Sequence, residues 1–309
     1  MSNLIYDPSI SSPMNVAVFL SGRGTNFREL YREQNRLEGL SVPRYGRISF
    51  VFSDKPDCEG LATAKGLILT KTIDSRKFNQ GLEIKRLADI PLDHPARISF
   101  DALSIHMMEQ ILIPDLVCLA GYERWLSPYF VDRYRSRILN VHPGDTSKGY
   151  IGLEEIPTAN AILAGEEHTR STIFLVDESK DGGPVLVQSH PIPIYDNSNN
   201  IEVIEIGSIK RYAQQNGFHT VRDFRNAVKE ETGVQSYLDS LLIISRRHQE
   251  KMKEQGDWPS YKFAVHHLVA QGRVAVDGRD VYVDGNKLPP YGFRLDEHHE
   301  EFERSGITI

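Results

Sequence analysis

Cysteine is scarce: Cys58 and Cys118 are the only two in 309 residues. One pair cannot staple a fold of this size, so free, buried thiols in a reducing compartment are expected. Long apolar runs are missing as well. The most apolar stretches, such as Leu116 to Ala120, fall far short of the roughly 20 residues that span a bilayer. Met1 to Pro13 lacks the basic start and long apolar run of a secretory leader. Basic residues are not in excess: 36 Lys plus Arg face 42 Asp plus Glu, for a net charge of −6. Proteins that live on a phosphate backbone are usually basic, which disfavours a nucleic-acid partner. Gly-x-Ser-x-Gly, clustered-cysteine and metal-spaced histidine patterns are lacking, so serine-hydrolase and zinc chemistry have little support. These absences point to a soluble, cytoplasmic protein and count against metal, membrane and nucleic-acid partners, which leaves small molecules as the expected substrates.

What is present is an ordinary globular composition. Apolar residues make up 40% and charged residues 25%. That is enough for a sizeable core in one large or two modest domains of roughly 150 residues. Asn15 to Leu20 reads as a buried strand, followed by a helical pattern with Phe27, Leu30 and Tyr31 on one face. Asn26 and Glu29 are spaced as a capping box at its start. Ile48 to Phe52 is a strand, Glu59 to Gly66 a helix and Leu67 to Ile73 a strand; Asp74 to Pro95 reads as a charged, irregular insertion. Phe100, Leu103, Met107, Met108 and Ile111 recur at helical spacing until Pro114. A strand at Leu116 to Ala120, a helix at Pro128 to Arg137 and a strand at Ile138 to His142 follow. This alternation predicts an α/β fold, a mostly parallel twisted sheet with helices on both faces. Further on, Ser171 to Val176 and Pro184 to Pro193 look like two strands, and residues 194 to 207 are polar and weakly patterned. Helices are predicted near 221–231, 237–255 and 261–271, and a terminal hairpin over Arg273 to Leu288 turning near Gly278-Arg279.

In such sheets ligands bind beyond the carboxyl ends of the strands. Three segments fall there: Ser21–Asn26, Gly121–Ser127 and Asn140–Asp145. Gly22-x-Gly24 lets backbone amides approach an anion at a helix start, and Thr25 and Asn26 add side-chain donors. Phe27 replaces the third glycine of the dinucleotide fingerprint, so a single phosphate suits the loop better than a nicotinamide cofactor. A plain tight turn is the bland alternative. On a strand Asn140 and His142 share a face, where an amide donor and an imidazole can polarise a carbonyl and shuttle a proton. Asp181-Gly182-Gly183-Pro184 is good turn chemistry, or else a carboxylate that holds the imidazolium. His266-His267, His298–Glu301 and the mixed charges around Arg246-Arg247 read as core or solvated faces.

These pieces, taken in order, resemble the formyltransferases that use 10-formyltetrahydrofolate, and most nearly the branch whose acceptor is 5-phosphoribosylglycinamide. The matching segments are VAVFLSGRGTNF at 16–27, VFSDKPDCEGL at 51–61, PDLVCLAGYERWLSP at 114–128, ILNVHPG at 138–144, FLVDESKDGGPVLVQ at 174–188 and DGNKLPPYGF at 284–293. The resemblance implies a Rossmann-like catalytic core at 14–193 and a C-terminal helical extension with a terminal hairpin at 194–309, packed on that core. It implies that Gly22, Arg23, Gly24, Thr25 and Asn26 hold the acceptor phosphate. Glu123, Arg124, Trp125 and Leu126 would line the folate pocket, with Arg97 also touching the folate. Val176, Asp177 and Glu178, running on to Lys180, would face the pterin with their backbone. Asn140, His142 and Asp181 match the catalytic trio, and no metal takes part.

The chain also departs from that family. After His142-Pro143 the family continues Ser-Leu-Leu-Pro, whereas this chain has Gly144-Asp145-Thr146-Ser147, and residues 144–158 lack the usual histidine-rich stretch. Residues 74–95 and 194–247 are additional. For the family's acidic acceptor-binding residue the candidates are Glu254 and Asp257. The function so implied is formyl transfer from 10-formyltetrahydrofolate to the amine of phosphoribosylglycinamide, in purine synthesis. The alternatives are a different phosphorylated or sugar-linked amine as acceptor, or hydrolysis of the folate with water as acceptor.

Overall fold

A computed structural model of the chain describes residues 3–80, 90–195, 200–228 and 233–309. The chain forms two compact units, each assembled from separated stretches. Met1–Val141, Ile173–Leu186 and Tyr261–Gly292 make the first; His142–Thr172, Val187–Ser260 and Phe293–Ile309 make the second. The division expected at residue 193 is a linear one, whereas these units interleave along the chain.

The first unit starts with β1 (Asn3–Leu4), then β2 (Met14–Leu20), α1 (Thr25–Gly39), β3 (Gly46–Ser53), α2 (Glu59–Ala64), β4 (Thr70–Thr72) and α3 (Ser75–Gln80). It continues through α4 (Pro95–Glu109), β5 (Leu116–Leu119), α5 (Pro128–Arg133) and β6 (Ile138–His142). β2 pairs in parallel with β3 and β5, β3 with β4, and β5 with β6. These strands are covered on both faces, which is why they read as near-continuous apolar runs rather than alternating ones. A hairpin of β8 (Thr172–Leu175) and β9 (Val185–Gln188) extends the sheet, closed by Leu175 N donating to Pro184 O at 2.9 Å. The order is β4-β3-β2-β5-β6-β8-β9. The fold class is thus the expected one, a mostly parallel sheet that the hairpin makes mixed.

Phe19, Phe52, Phe100, Tyr122 and Phe130 form the centre of the core in this unit. Phe19 meets Tyr122 and Phe130 edge-on at 5.5 and 5.4 Å. Full burial of each such ring contributes about 2–3 kcal/mol, and the edge-to-face arrangement adds to it. The predicted face of α4 is rotated. Phe100, Ile105 and Met108 are buried, but so are Arg97, Asp101 and Ser104, while Leu103 and Ile111 are exposed. The predicted strand at 67–73 shrinks to Thr70–Thr72, and part of the 74–95 insertion is the helix α3; residues 81–89 lie outside the described residues. The hairpin near the end forms as expected: β11 (Val274–Asp277) and β12 (Asp280–Val283) turn at Gly278-Arg279. With β1 and β13 (Asn286–Lys287) they form a four-stranded antiparallel sheet.

The second unit is mainly helical. It contains α6 (Ile156–Leu163), the β7 (His168–Thr169)–β10 (Ile192–Pro193) pair, α7 (Asn200–Asn216), α8 (Val221–Ala227) and α9 (Val234–Lys251). π-helical turns cover Met252–Asp257 here and Phe263–Val269 in the first unit, on either side of α10 (Trp258–Lys262). Of the weakly patterned 194–207 region, residues 196–199 lie outside the described residues, and residues 200–207 begin α7. Ile206, Ile209 and Ala213 bury its inner side against Ala159 and Ile162 of α6 and Leu241 and Ile244 of α9. Thr220 and Asp223 form a reciprocal capping box at the start of α8. β14 (Phe293–Arg294) pairs in parallel with the end of β9, and α11 (His299–Arg304) follows.

Candidate active site

The glycine loop follows from two close backbones. Gly24 caps α1 at φ 69°, and a Cβ there would lie 2.5 Å from Gly60 Cα. Gly60 N donates to Gly22 O at 3.0 Å, so glycine is needed on both sides of this approach. The expected Asn26–Glu29 capping box does not form, because the cap residue is Gly24, which has no side chain to accept. Glu29 instead pairs with Arg32 at 2.5 Å and Lys262 at 3.6 Å. The first amides of a helix have no intrahelical acceptor, and no side chain caps these. Asn26 is buried beside them, with Oδ1 unpartnered among the described residues, while Arg23 is exposed.

Asn140 and His142 leave β6 on the same face, with Val141 between them. Asn140 is half-buried and His142 is buried. His142 Nε2 lies 3.1 Å from Tyr150 O. A carbonyl only accepts, so Nε2 carries the proton in this contact. The approach depends on Gly144: a Cβ there would meet Tyr150 O at 2.6 Å and Pro157 Cβ at 2.7 Å. The Asp145 carboxylate fixes the turn that follows, accepting from Ser147 N at 3.0 Å and Gln188 Nε2 at 2.6 Å. Tyr150 N returns to Asp145 O at 3.1 Å. The atypical stretch after His142-Pro143 therefore orients the imidazole through a main-chain carbonyl. Sequence reasoning missed Tyr150; a glycine just after the histidine is the one trace of it.

Beneath this turn, Ser171 Oγ donates to the Asp257 carboxylate and lies 3.2 Å from His142 O. Asp257 is buried, and burial pushes its pKa up to about 6 against the pull of the Ser171 hydroxyl and Lys253. Of the two acidic candidates, Glu254 is exposed and Asp257 is spent on Ser171.

Asp181 lies in the β8–β9 connection with a left-handed backbone, φ 55°. Glu178 pairs with Arg135 at 2.6 Å, and Lys180 Nζ stands 4.3 Å from the Trp125 ring centroid. Asp177 accepts from Ser179 N at 2.8 Å. A cavity of about 630 Å³ opens beside Val176, Asp177 and Glu178, bounded by Arg135, Arg137 and Arg279.

The 123–126 loop is held from α4. Arg97 is buried and donates to Trp125 O at 3.2 Å and Ile90 O at 3.4 Å. The Asp101 carboxylate accepts from Ser127 N at 2.6 Å; burial pushes its pKa up, against Ser127 and the nearby Arg124 and Arg97. Arg124 stacks 3.6 Å from the Phe100 ring centroid, buried, with Nε and Nη1 unpartnered among the described residues. Leu126 is buried, and Glu123 pairs with Lys55 at 2.5 Å. The polar face of α4 thus serves the loop's main chain. Within the first unit the structure brings Arg97, Trp125 and Lys180 together; His142 belongs to the second unit. Both cysteines are free and buried. Among the described residues no group of three or more His, Cys, Asp or Glu could hold a metal, and no helix is long and apolar enough to cross a membrane.

The formyl transferase family pattern matches residues 14–205, more than half of the chain. The chain belongs to the formyl transferase family. The relatives carry a narrower name. Phosphoribosylglycinamide formyltransferase of Escherichia coli (strain K12) is 26% identical over 287 residues, spanning 92% of this chain and 100% of the relative. The protein of the same name from Haemophilus influenzae is 32% identical over 191 residues, 62% of this chain and 77% of the relative. Among solved structures, glycinamide ribonucleotide transformylase 1 from Symbiobacterium toebii shares the fold at a TM-score of 0.56 and 24% identity, covering 88% of this chain and 94% of that one.

Proposed function

We propose that this enzyme transfers the formyl group of 10-formyltetrahydrofolate to the primary amine of 5-phosphoribosylglycinamide, a step of purine synthesis. The likeness to phosphoribosylglycinamide formyltransferase across 92% of the chain carries the proposal. The glycine loop supports the phosphorylated acceptor: uncapped amides at the start of α1 suit a phosphate. A pteridine needs a flat apolar slot and main-chain hydrogen bonds at its edge; on this reading Trp125, Leu126 and Val176 would line the slot and the Val176–Lys180 backbone would bond the edge.

In the reaction the acceptor nitrogen attacks the formyl carbon, and the carbonyl oxygen takes up the displaced electron pair. Asn140 donates a hydrogen bond to that oxygen as it becomes an oxyanion, and protonated His142 donates another from Nε2, which exchanges the Tyr150 carbonyl for the substrate oxygen. Asp181 keeps the imidazole charged. As the intermediate collapses, the bond from carbon to N10 breaks, N10 gains a proton and the acceptor nitrogen loses one. His142 or a water it orders carries that proton. The departure at 144–158, where Tyr150 O faces His142, favours one second reading, a different amine as acceptor.

The test is a panel of amines incubated with 10-formyltetrahydrofolate, following folate product and formate together. Consumption with phosphoribosylglycinamide far above all others is the expected result. Faster turnover with another amine, or equal formate release without any amine, overturns the acceptor assignment.

A further inference from the structure

The turn that carries Asp181 is closed by a residue from the far end of the chain. Arg279, between β11 and β12, donates from Nη1 to the Asp177 carboxylate and from Nη2 to the Gly182 carbonyl at 2.6 Å. One planar guanidinium therefore joins the first and last parts of the 177–183 connection. Between those points the chain is under constraint. Asp181 is left-handed, a conformation costly to most L residues and tolerated best by Asn and Asp. At Gly183 a Cβ would fall 1.8 Å from Leu175 O, so the turn closes tightly on β8. The contacts of Glu178 with Arg135 and of Lys180 with Trp125 each hold a single side chain. Arg279 instead spans the connection.

We propose that Arg279 is a positioning residue for formyl transfer, bridging Asp177 and Gly182 so that the turn presents Asp181 and the Val176–Lys180 backbone to the folate. This rests on the assignment of that turn to the folate given above. Arg279 is 64% exposed, so the bridge works in water and its effect is bounded. Exposed pairs of this kind correspond to at most about a fivefold change in an equilibrium, and a guanidinium that holds two partners belongs in the upper part of that range. A lysine at 279 keeps the charge but is a point donor that cannot span both partners.

The experiment compares wild type, R279A, R279K, D177N and the R279A/D177N double variant. It combines hydrogen exchange of the peptide covering 177–183 with steady-state kinetics and thermal midpoints. R279A and R279K should both speed exchange in that peptide about three- to fivefold, with other peptides and the midpoint unchanged. The KM for 10-formyltetrahydrofolate should rise by a similar factor, and D177N should add little to R279A. Unchanged exchange in R279A, or R279K behaving as wild type, overturns the bridge. Faster exchange with unaltered kinetics overturns its role in the reaction. A wild-type protein inactive with every amine, while R279A still exchanges faster, refutes the functional assignment and leaves the bridge standing.

Discussion

Asp257 offers a test of the second unit that needs no substrate. Its carboxyl lies at the end of the π-helical stretch Met252–Asp257, buried, with Ser171 as hydrogen-bond donor. Burial lifts its pKa from the ordinary 3.8 to about 6. Well below 3.8 the group is protonated whether the chain is folded or not. Between 3.8 and about 6 the unfolded chain has released its proton while the folded one still holds it. The group's contribution to stability therefore falls as pH rises through that window, and stays low above it. A gap of this size is worth about 3 kcal/mol. D257N keeps an oxygen for the Ser171 hydroxyl and cannot ionise. Urea unfolding of both proteins between about pH 4 and about pH 7.5 gives the difference in stability at each pH. D257N should gain about 2–2.5 kcal/mol on wild type across that range, the rest of the gap lying below pH 4. A difference that varies by less than about 0.5 kcal/mol would show that Asp257 ionises like a solvated carboxylate, and would refute the reasoning.

The remaining predictions concern the reaction and the turn after His142. N140A should lower kcat about 10²- to 10³-fold, with its thermal midpoint close to wild type, because the amide acts on the developing oxyanion. H142N and D181N should each abolish turnover while folate binding, followed by Trp fluorescence, largely persists; near-normal rates in both would refute the mechanism. G144A places a methyl against Tyr150 O and Pro157. It should cost about 1–3 kcal/mol in urea unfolding and lower kcat, whereas an unchanged midpoint would mean the turn relaxes freely.

The parallel part of the sheet was legible because strands covered on both faces carry unbroken apolar runs. Ile138–His142 forms over the predicted residues, and β5 differs from its prediction by Ala120 alone. Helix α4 was legible as a helix but not in its orientation. Periodicity counted Leu103, Met107 and Ile111 as inward, yet Arg97 and Asp101 face in because they satisfy the main chain at Trp125 and Ser127. Such polar burial leaves no periodic signal. The start of α7 failed for a different reason: Ile206 and Ile209 carry the pattern, but charged and amide residues around them dilute it. At the site, the glycine loop and the Asn-x-His strand end were legible as local spacing. The Tyr150 carbonyl on His142 and the Arg279 fork on Asp177 and Gly182 were not, since a main-chain carbonyl imposes no residue type on its partner and Asp177 and Arg279 lie 102 residues apart.

The interleaving of the two units bears on how the chain is made. Tyr261 donates to Leu139 O at 3.0 Å, and His266 accepts from Gly46 N at 3.2 Å, so late residues finish a sheet begun near residue 14. A nascent chain emerging from the ribosome has its early strands exposed until those partners arrive. Assembly of the first unit thus waits for residues 261–266, and the unfinished unit is what a chaperone would have to shield in the interval.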